Sequence, residues 1–182
     1  FYEEMTNVPF IIAGPGIHPR QKPVEDLLTQ PTIDLLPTLC ELAGIPVPSS
    51  KPGISLAPFL KGEKQKRQHP YAASEWHSEY EVTVSPGRMI RSPRYKYTHY
   101  LEGNGEELYD MLKDKGERRN LAHDPKYSKI LAEHRALLDD YIRRTQDDYR
   151  SLKVEADKRW RSHAPGYPNH EGPCARDIIN RK

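Results

Sequence analysis

Hydrophobic and polar positions follow two different periods along this chain, and each period predicts one kind of element. Between residues 71 and 110, aromatic and β-branched residues alternate with polar ones in short runs, a pattern typical of strands with one buried face. From about residue 125 the apolar positions recur at helical spacing. The patterns predict an α+β unit, in which a small antiparallel sheet with one solvated face is covered by a long C-terminal helix.

Turn and cap residues divide this region into elements. Ser92 and Pro93 separate two strands, and Asp124 and Pro125 supply the cap and first position of the long helix. The predicted strands are Tyr71–Glu75, Arg88–Arg91, Tyr95–Leu101 and Glu107–Asp110. The apolar stripe of the helix consists of Tyr127, Ile130, Leu131, His134, Leu137, Leu138, Tyr141 and Ile142. Within that stripe, His134 is predicted to be a hydrogen-bonded core or boundary residue rather than a ligand.

The first third of the chain indicates a second unit. Val8–Ala13 is a continuous apolar run ended by Gly14–Gly16, which predicts a buried strand of a sheet covered on both faces. Few similar runs follow, so we expect most of that sheet to lie outside this sequence. A helix is predicted from Asp34, its cap, to Gly44, with Pro37 in the first turn. Its predicted apolar face comprises Leu35, Leu36, Leu39, Cys40, Leu42 and Ala43.

Composition narrows the class of protein without identifying its function. The chain has 182 residues, 36% of them hydrophobic, which suits one globular domain or part of a larger one. Its 28 basic and 26 acidic residues give a net charge of +2, too little to indicate nucleic acid or a membrane surface as partner. No apolar run approaches the roughly 20 residues of a membrane span. Two cysteines provide no disulfide framework, and Cys40 is interpreted as a small buried hydrophobe rather than a nucleophile.

Two further patterns have the composition of functional sites. The alternation of basic and aromatic residues in Arg94–Tyr97 could bind single-stranded nucleic acid, but the same pattern is ordinary in a half-buried strand, and we expect no nucleic-acid partner. His163, His170 and Cys174 in the tail match no standard zinc spacing. The Pro and Gly residues between them indicate that 150–182 is an extended tail.

Five segments, taken in order, resemble the C-terminal part of type I sulfatases of the alkaline-phosphatase superfamily. They are VPFIIAGPGI, TIDLLPTLCELAGIPVP, GISLAPFLKG, GRMIRSPRYKYTHY and EELYDMLKDKGERRNLAHDP. Any one segment is a weak match, but five in the same order are specific. The resemblance implies an alkaline-phosphatase-like α/β fold overall. It makes residues 1–62 the end of the large sulfatase domain, with one or two of its strands and helices, and 63–149 a C-terminal subdomain.

The resemblance also implies a chemistry that this chain does not contain. Family members use a formylglycine made from Cys or Ser in a C/S-x-P-x-R motif, and a calcium ion that clamps the sulfate oxygens. Neither cysteine stands in that motif, and the Asp-His-Gly of the late metal segment is missing. Both cofactors are therefore implied for a full-length enzyme, and none is expected on this chain. We interpret the chain as a fragment, inactive alone, whose partner is the N-terminal sulfatase domain.

The candidate substrate-binding residues lie around a predicted strand end. They are Glu75, Trp76, His77, Arg88 and Arg91. In the family this subdomain walls one side of the substrate cleft, and SEYEVTVSPGRMIR is somewhat similar to sulfamidases. An aromatic ring with His and Arg can stack on a sugar and pair with its anionic groups. In the alternative reading, Trp76 is core, His77 is a satisfied loop residue and the arginines pair with surface acids.

Three classes of function remain open from the sequence. The first is the C-terminal part of a sulfatase acting on a sulfated saccharide. The others are a noncatalytic module that binds sulfated glycans, and a phosphoester or phosphonate hydrolase of the same superfamily. The resemblance favours a periplasmic or secreted enzyme, and the lack of an N-x-S/T glycosylation acceptor fits a bacterial exported protein.

Overall fold

A four-stranded antiparallel sheet crossed by a long helix forms the centre of the structure. The computed structural model describes residues 1–19, 24, 27–64, 69–76, 86–101 and 105–151. Its helices are α1 (Glu3–Thr6), α2 (Pro31–Leu42), α3 (Ala57–Leu60) and α4 (Ser128–Thr145), and its strands are β1 (Ala72–Trp76), β2 (Gly87–Arg91), β3 (Tyr95–Tyr100) and β4 (Glu106–Asp110). The strands pair in the order β1-β2-β3-β4, each antiparallel to the next. The predicted sheet and helix are confirmed.

The core lies between the sheet and α4. Ile90, Tyr97 and Leu108 stand directly opposite one another on β2, β3 and β4, and each is at most 1% exposed. Leu131 and Leu138 of α4 pack onto this row. His134 is buried, as predicted, with Nδ1 2.8 Å from the Ile130 carbonyl oxygen and Nε2 2.9 Å from Ser92 Oγ. The helical stripe therefore buries its apolar side chains against the alternating face of the sheet.

Asn120 covers the outer edge of β4. Its Oδ1 accepts a hydrogen bond from the Leu108 N–H at 3.0 Å, and its Nδ2 donates to the Glu106 carbonyl at 3.0 Å. The Leu121 N–H donates to the Leu108 carbonyl at 2.8 Å. An edge strand left with free backbone groups can pair with another chain. The Asn-Leu step after the turn therefore closes this edge before the chain enters α4.

The second face of the sheet is covered, so the predicted solvated face is wrong. At most 5% of each of the following side chains is exposed there: Met89, Lys96, Thr98 and Tyr109. The segment Phe1–Thr6 lies over them, with the Phe1 ring centroid 6.0 Å from that of Tyr100 and the Tyr2 ring 6.5 Å from that of Tyr109. Alternation along the strands could not reveal this cover, because the segment is about 90 residues away in sequence.

Helix α2 begins at Pro31, three residues before its predicted start, so Pro37 lies inside it rather than in its first turn. Asp34 is fully buried in that first turn instead of standing outside as the cap. Its carboxylate accepts hydrogen bonds from the Gln30 and Ile54 N–H groups at 2.7 and 2.8 Å, and its Oδ1 lies 2.8 Å from Nε2 of His69. Asp34 thus fastens α2 to two other segments of the chain.

The apolar positions of the first third are largely uncovered. The buried residues of α2 are Asp34, Pro37 and Thr38, whereas the leucines of the predicted apolar face are 41–50% exposed (Leu35, Leu36 and Leu39). Cys40 is half-buried and free. The predicted strand Val8–Ala13 is irregular, with Ile11 86% exposed, because none of the described strands pairs with it. Among the described residues, no helix is long and apolar enough to cross a membrane.

Candidate functional site

The end of β1 brings three of the five predicted site residues together. Glu75 stands opposite Arg88 of β2, and Trp76 stands opposite Gly87. Because side chains alternate along a strand, Glu75 and Arg88 share the face covered by α4, and Trp76 lies on the other face. His77, the next residue in the chain, lies outside the described residues.

Arg88 is buried, and its guanidinium is engaged by the protein itself. Nε and Nη2 donate to the two carboxylate oxygens of Asp147 at 2.6 and 2.9 Å, and Nη1 donates to the carbonyls of Trp76 and Gly87 at 3.0 and 2.9 Å. The guanidinium carbon lies 4.5 Å from the centre of the Tyr149 ring. Burial by itself would lower the pKa of Arg88, but the hydrogen bonds and charge of Asp147 outweigh it and raise the pKa. Arg88 therefore fixes the end of β1 to the chain that follows α4.

Glu75 is exposed, and its carboxylate is anchored from the helix. Its Oε1 accepts a hydrogen bond from the Tyr141 hydroxyl at 2.7 Å. Burial, together with this hydrogen bond to Glu75, raises the pKa of Tyr141 above its ordinary value. The hydroxyl thus stays a proton donor at neutral pH and holds the carboxylate at the rim of the sheet.

Three rings, those of Phe1, Trp76 and Tyr100, gather on the other face at this end of the sheet; we call them the aromatic surface. Gly87 stands between Trp76 on β1 and Tyr100 on β3. A Cβ at Gly87 would come within 2.7 Å of the Phe1 ring and 2.9 Å of the Tyr100 ring, so glycine makes this close packing possible. Trp76 is 43% exposed, so part of a large apolar ring is open to solvent at this end of β1.

Arg91 lies apart from Arg88. It sits three residues further along β2, on the opposite face, with Nε 3.8 Å from Glu3 Oε1. Burial lowers the pKa of Arg91 below its ordinary value, and the guanidinium also donates to the Ser92 carbonyl. Because side chains alternate between the faces of a strand, the odd spacing of residues 88 and 91 by itself predicts that they lie on opposite faces of the sheet.

An open depression beside α4 was not anticipated from the sequence. Its lining residues are Tyr97, His99, Glu106, Arg135, Asp139 and Arg150. Hydrogen bonding from Arg135 is the main cause that lowers the pKa of Glu106 to about 2, and the Tyr97 hydroxyl also donates to Glu106 at 2.5 Å. Burial lowers the pKa of His99, whose Nδ1 lies 2.8 Å from the Tyr149 hydroxyl. Alternation along β3 predicts that Tyr97 and His99 share one face of the sheet. The sequence does not show which residues of distant segments join them there.

A metal site is not present in the part of the chain that the structure describes. Across those ranges, no three side chains of His, Cys, Asp or Glu gather in a way that could hold an ion. The calcium implied by the resemblance therefore finds no fitting set of donors there. No step through calcium or formylglycine can be derived from these residues.

The four-stranded sheet with its covering helix places the chain in the C-terminal region of sulfatases, because it superposes on solved structures of that class. A solved structure described as a 2-O GAG sulfatase superposes with a TM-score of 0.83 and 77% identity, over 98% of this chain and 38% of that chain. A structure solved in complex with its substrate D-glucosamine-2-N,6-O-disulfate superposes with a TM-score of 0.58 and 26% identity, over 64% of this chain and 25% of that chain.

Sequence comparison gives the same class. A Delta 4,5-hexuronate-2-O-sulfatase of Bacteroides thetaiotaomicron is 76% identical over 182 residues, which is 100% of this chain and 38% of that protein. The family model "N-sulphoglucosamine sulphohydrolase, C-terminal" matches residues 1–144. The chain belongs to this family. Its resemblance to sulfatases is thereby confirmed, and it spans 38% of the length of the hexuronate-2-O-sulfatase and 25% of the length of the chain solved with the disulfated glucosamine.

Proposed function

We propose that this chain is the C-terminal part of an enzyme that hydrolyses sulfate groups on a sulfated saccharide, and that it forms one wall of the substrate cleft. The observation that carries the proposal is the 76% identity to a hexuronate-2-O-sulfatase over the whole chain. Another relative in structure was solved with a sulfated glucosamine as its substrate. Both relatives act on sulfated sugars, which supports the same class of substrate here.

The end of β1 is the part of this chain that suits such a substrate. A sugar ring presents C–H groups on its faces, and these pack well on an exposed indole such as that of Trp76. Glu75 can accept hydrogen bonds from sugar hydroxyls at the rim. We assign substrate contact to these two residues and to His77, which follows them in the chain. Arg88 holds the strand end in place. Arg91 shares the face of Trp76 but stands opposite Ala72, at the other end of β1.

The exposed apolar side chains of residues 1–62 support the proposed division into domains. These side chains are 41–86% exposed and comprise Met5, Val8, Ile11, Leu35, Leu36, Leu39, Ile45 and Val47. Large contiguous apolar patches on a protein mark surfaces that contact another part of the protein or a partner. We propose that they pack against the remainder of a large α/β sulfatase domain, with 63–149 as the subdomain and 150–182 as a tail. The formylglycine and calcium would belong to that remainder, and the family supports a periplasmic or secreted location.

The test is sulfate release by the full-length protein from a 2-O-sulfated unsaturated disaccharide and from a small aryl sulfate. Trp76→Ala removes a stacking contact worth about 0.5–1.5 kcal/mol, so KM for the saccharide should rise about two- to tenfold. The aryl sulfate lacks the sugar ring that would stack on Trp76, so it should keep its KM. His77→Ala should likewise lower turnover of the saccharide more than that of the aryl sulfate.

Leu112→Ala is the matched control, because Leu112 is an exposed apolar residue, 66% exposed, on the turn after β4. It should leave both substrates unaffected. Binding of the saccharide without sulfate release would favour the noncatalytic module instead. Hydrolysis of a phosphonate monoester in preference to any sulfate would favour the third class of function.

A further inference from the structure

A buried cluster of charges joins the second face of the sheet to the first residues of the chain. Lys96 of β3 is 1% exposed, and its Nζ lies 2.7 Å from Glu3 Oε1 and 2.9 Å from Glu117 Oε1. The same ammonium donates to the Phe1 carbonyl at 3.0 Å. The Glu3 N–H donates to Glu117 Oε2 at 2.6 Å. We call the pair Lys96 and Glu117 the clamp, because each member forms a hydrogen bond with the backbone of the segment Phe1–Thr6.

The backbone at Glu117 is strained. Its φ is +51°, a left-handed conformation that few residues other than glycine adopt and that persists only where the surroundings impose it. Glycine would adopt this conformation at a lower energetic cost than glutamate, yet the glycine of this turn is Gly116, one residue before it. The left-handed turn instead directs the Glu117 carboxylate onto Lys96 and the Glu3 N–H. A strained, buried acid with these partners indicates a role beyond closing a turn.

Buried ion pairs contribute little net stability, because desolvation offsets their attraction, but they can fix one arrangement among several. Here the arrangement is that of the segment Phe1–Thr6, which has few other polar ties to the sheet among the described contacts. Its first residue, Phe1, lies over Gly87 and against Tyr100. The clamp thus binds the backbone of the residue whose ring lies on the aromatic surface.

We propose that Lys96 and Glu117 are positioning residues for saccharide binding: they hold Phe1–Thr6 so that Phe1 completes the aromatic surface beside Trp76. The inference rests on the proposed function, since it takes that surface to be the one that meets the saccharide. Neither residue touches the substrate in this scheme. Their loss acts through Phe1, and it should weaken the binding of a saccharide more than the turnover of a small sulfate.

The experiment compares variants of the full-length protein in the same two-substrate assay. Glu117→Gly relieves the strained φ and removes one carboxylate, while Glu3 Oε1, 2.7 Å from Lys96 Nζ, still pairs with the buried ammonium. The protein should therefore stay folded while KM for the disaccharide rises at least about twofold. Lys96→Met removes the buried ammonium and should have the same effect. For both variants, kcat on the disaccharide and KM for the aryl sulfate should stay within the error of the wild type. Lys129→Met, at an exposed lysine of α4, is the control.

The outcomes separate this inference from the proposed function. If Trp76→Ala raises KM for the disaccharide but Glu117→Gly does not, the clamp inference is overturned and the aromatic surface stands. If Trp76→Ala has no effect either, the aromatic surface does not contact the saccharide. The clamp inference and the proposed substrate contact of Trp76 then both fail, whereas sulfate release by the full-length protein still tests the proposed activity. Equal losses on the two substrates in Glu117→Gly would mark a general structural role and would also overturn the inference. If Lys96→Met does not fold, Glu117→Gly alone decides.

Discussion

Leu138→Ala tests whether α4 is held on the sheet by core packing. Leu138 is fully buried and belongs to the same cluster as Ile90, Tyr97 and Leu108. The substitution removes three carbons, worth roughly 2.4 kcal/mol at about 0.8 kcal/mol each. The cavity left among these rigid partners adds to this loss, so we expect unfolding to become easier by about 3–5 kcal/mol. That is a large part of the stability of an ordinary domain.

The assay is urea unfolding followed by far-ultraviolet circular dichroism, with the helix signal as the reporter. Leu112→Ala serves as the control, because an exposed site should change the free energy of unfolding by less than about 0.5 kcal/mol. The slope against urea should stay the same in both variants, so that the shift in midpoint reports stability alone. If Leu138→Ala shifted the midpoint no more than Leu112→Ala, the packing of α4 on the sheet described above would be refuted.

Two further predictions concern other contacts. Gly53 has φ +116°, and a Cβ there would overlap the Ile33 carbonyl oxygen, so Gly53→Ala should lower the midpoint of urea unfolding. Gly14→Ala is the control, because a Cβ at Gly14 meets open space and should leave the midpoint unchanged. Burial lowers the pKa of His134, so the folded protein binds a proton at this ring less readily than the unfolded chain does. The contribution of His134 to stability should therefore be constant above about pH 6.5 and should fall as the pH drops below that value. Urea midpoints at pH 7.5 and 5.5 measure this loss; His134→Gln should reduce it, and an unchanged loss would contradict the assignment.

The sheet and its covering helix were predictable because local chemistry decides them. The alternation in β2 and β3, the Ser92-Pro93 turn and the Asp124-Pro125 start are set by neighbours a few residues apart. In the structure Asp124 accepts a hydrogen bond from the Lys126 N–H at 3.0 Å, but it caps a short 3-10 turn, Pro125–Tyr127, and α4 itself begins three residues later than Pro125, at Ser128. Each strand lies within one residue of its predicted bounds.

The first third of the chain shows the limit of this reasoning. An apolar run such as Val8–Ala13 indicates that the segment is suited to burial, but it does not show whether another segment packs against it. In α2, the buried Asp34 takes its position from Ile54 and His69, which lie 20 and 35 residues further along the chain. The side of a helix that faces inward is decided by such partners, so its apolar face could be predicted and still lie uncovered.

The sequence by itself determined the sheet, the covering helix, the family and the strand end that carries Glu75 and Trp76, because each depends on local patterns or on motifs in order. Only the tertiary structure decided that Arg88 is bound by Asp147, that Arg91 lies beside Glu3, and that Lys96 and Glu117 hydrogen-bond to the first residues. The physical reason is separation along the chain. The bonds of Arg88 to Asp147 and of Lys96 to Phe1 span 59 and 95 residues, and no local periodicity encodes which distant groups will meet.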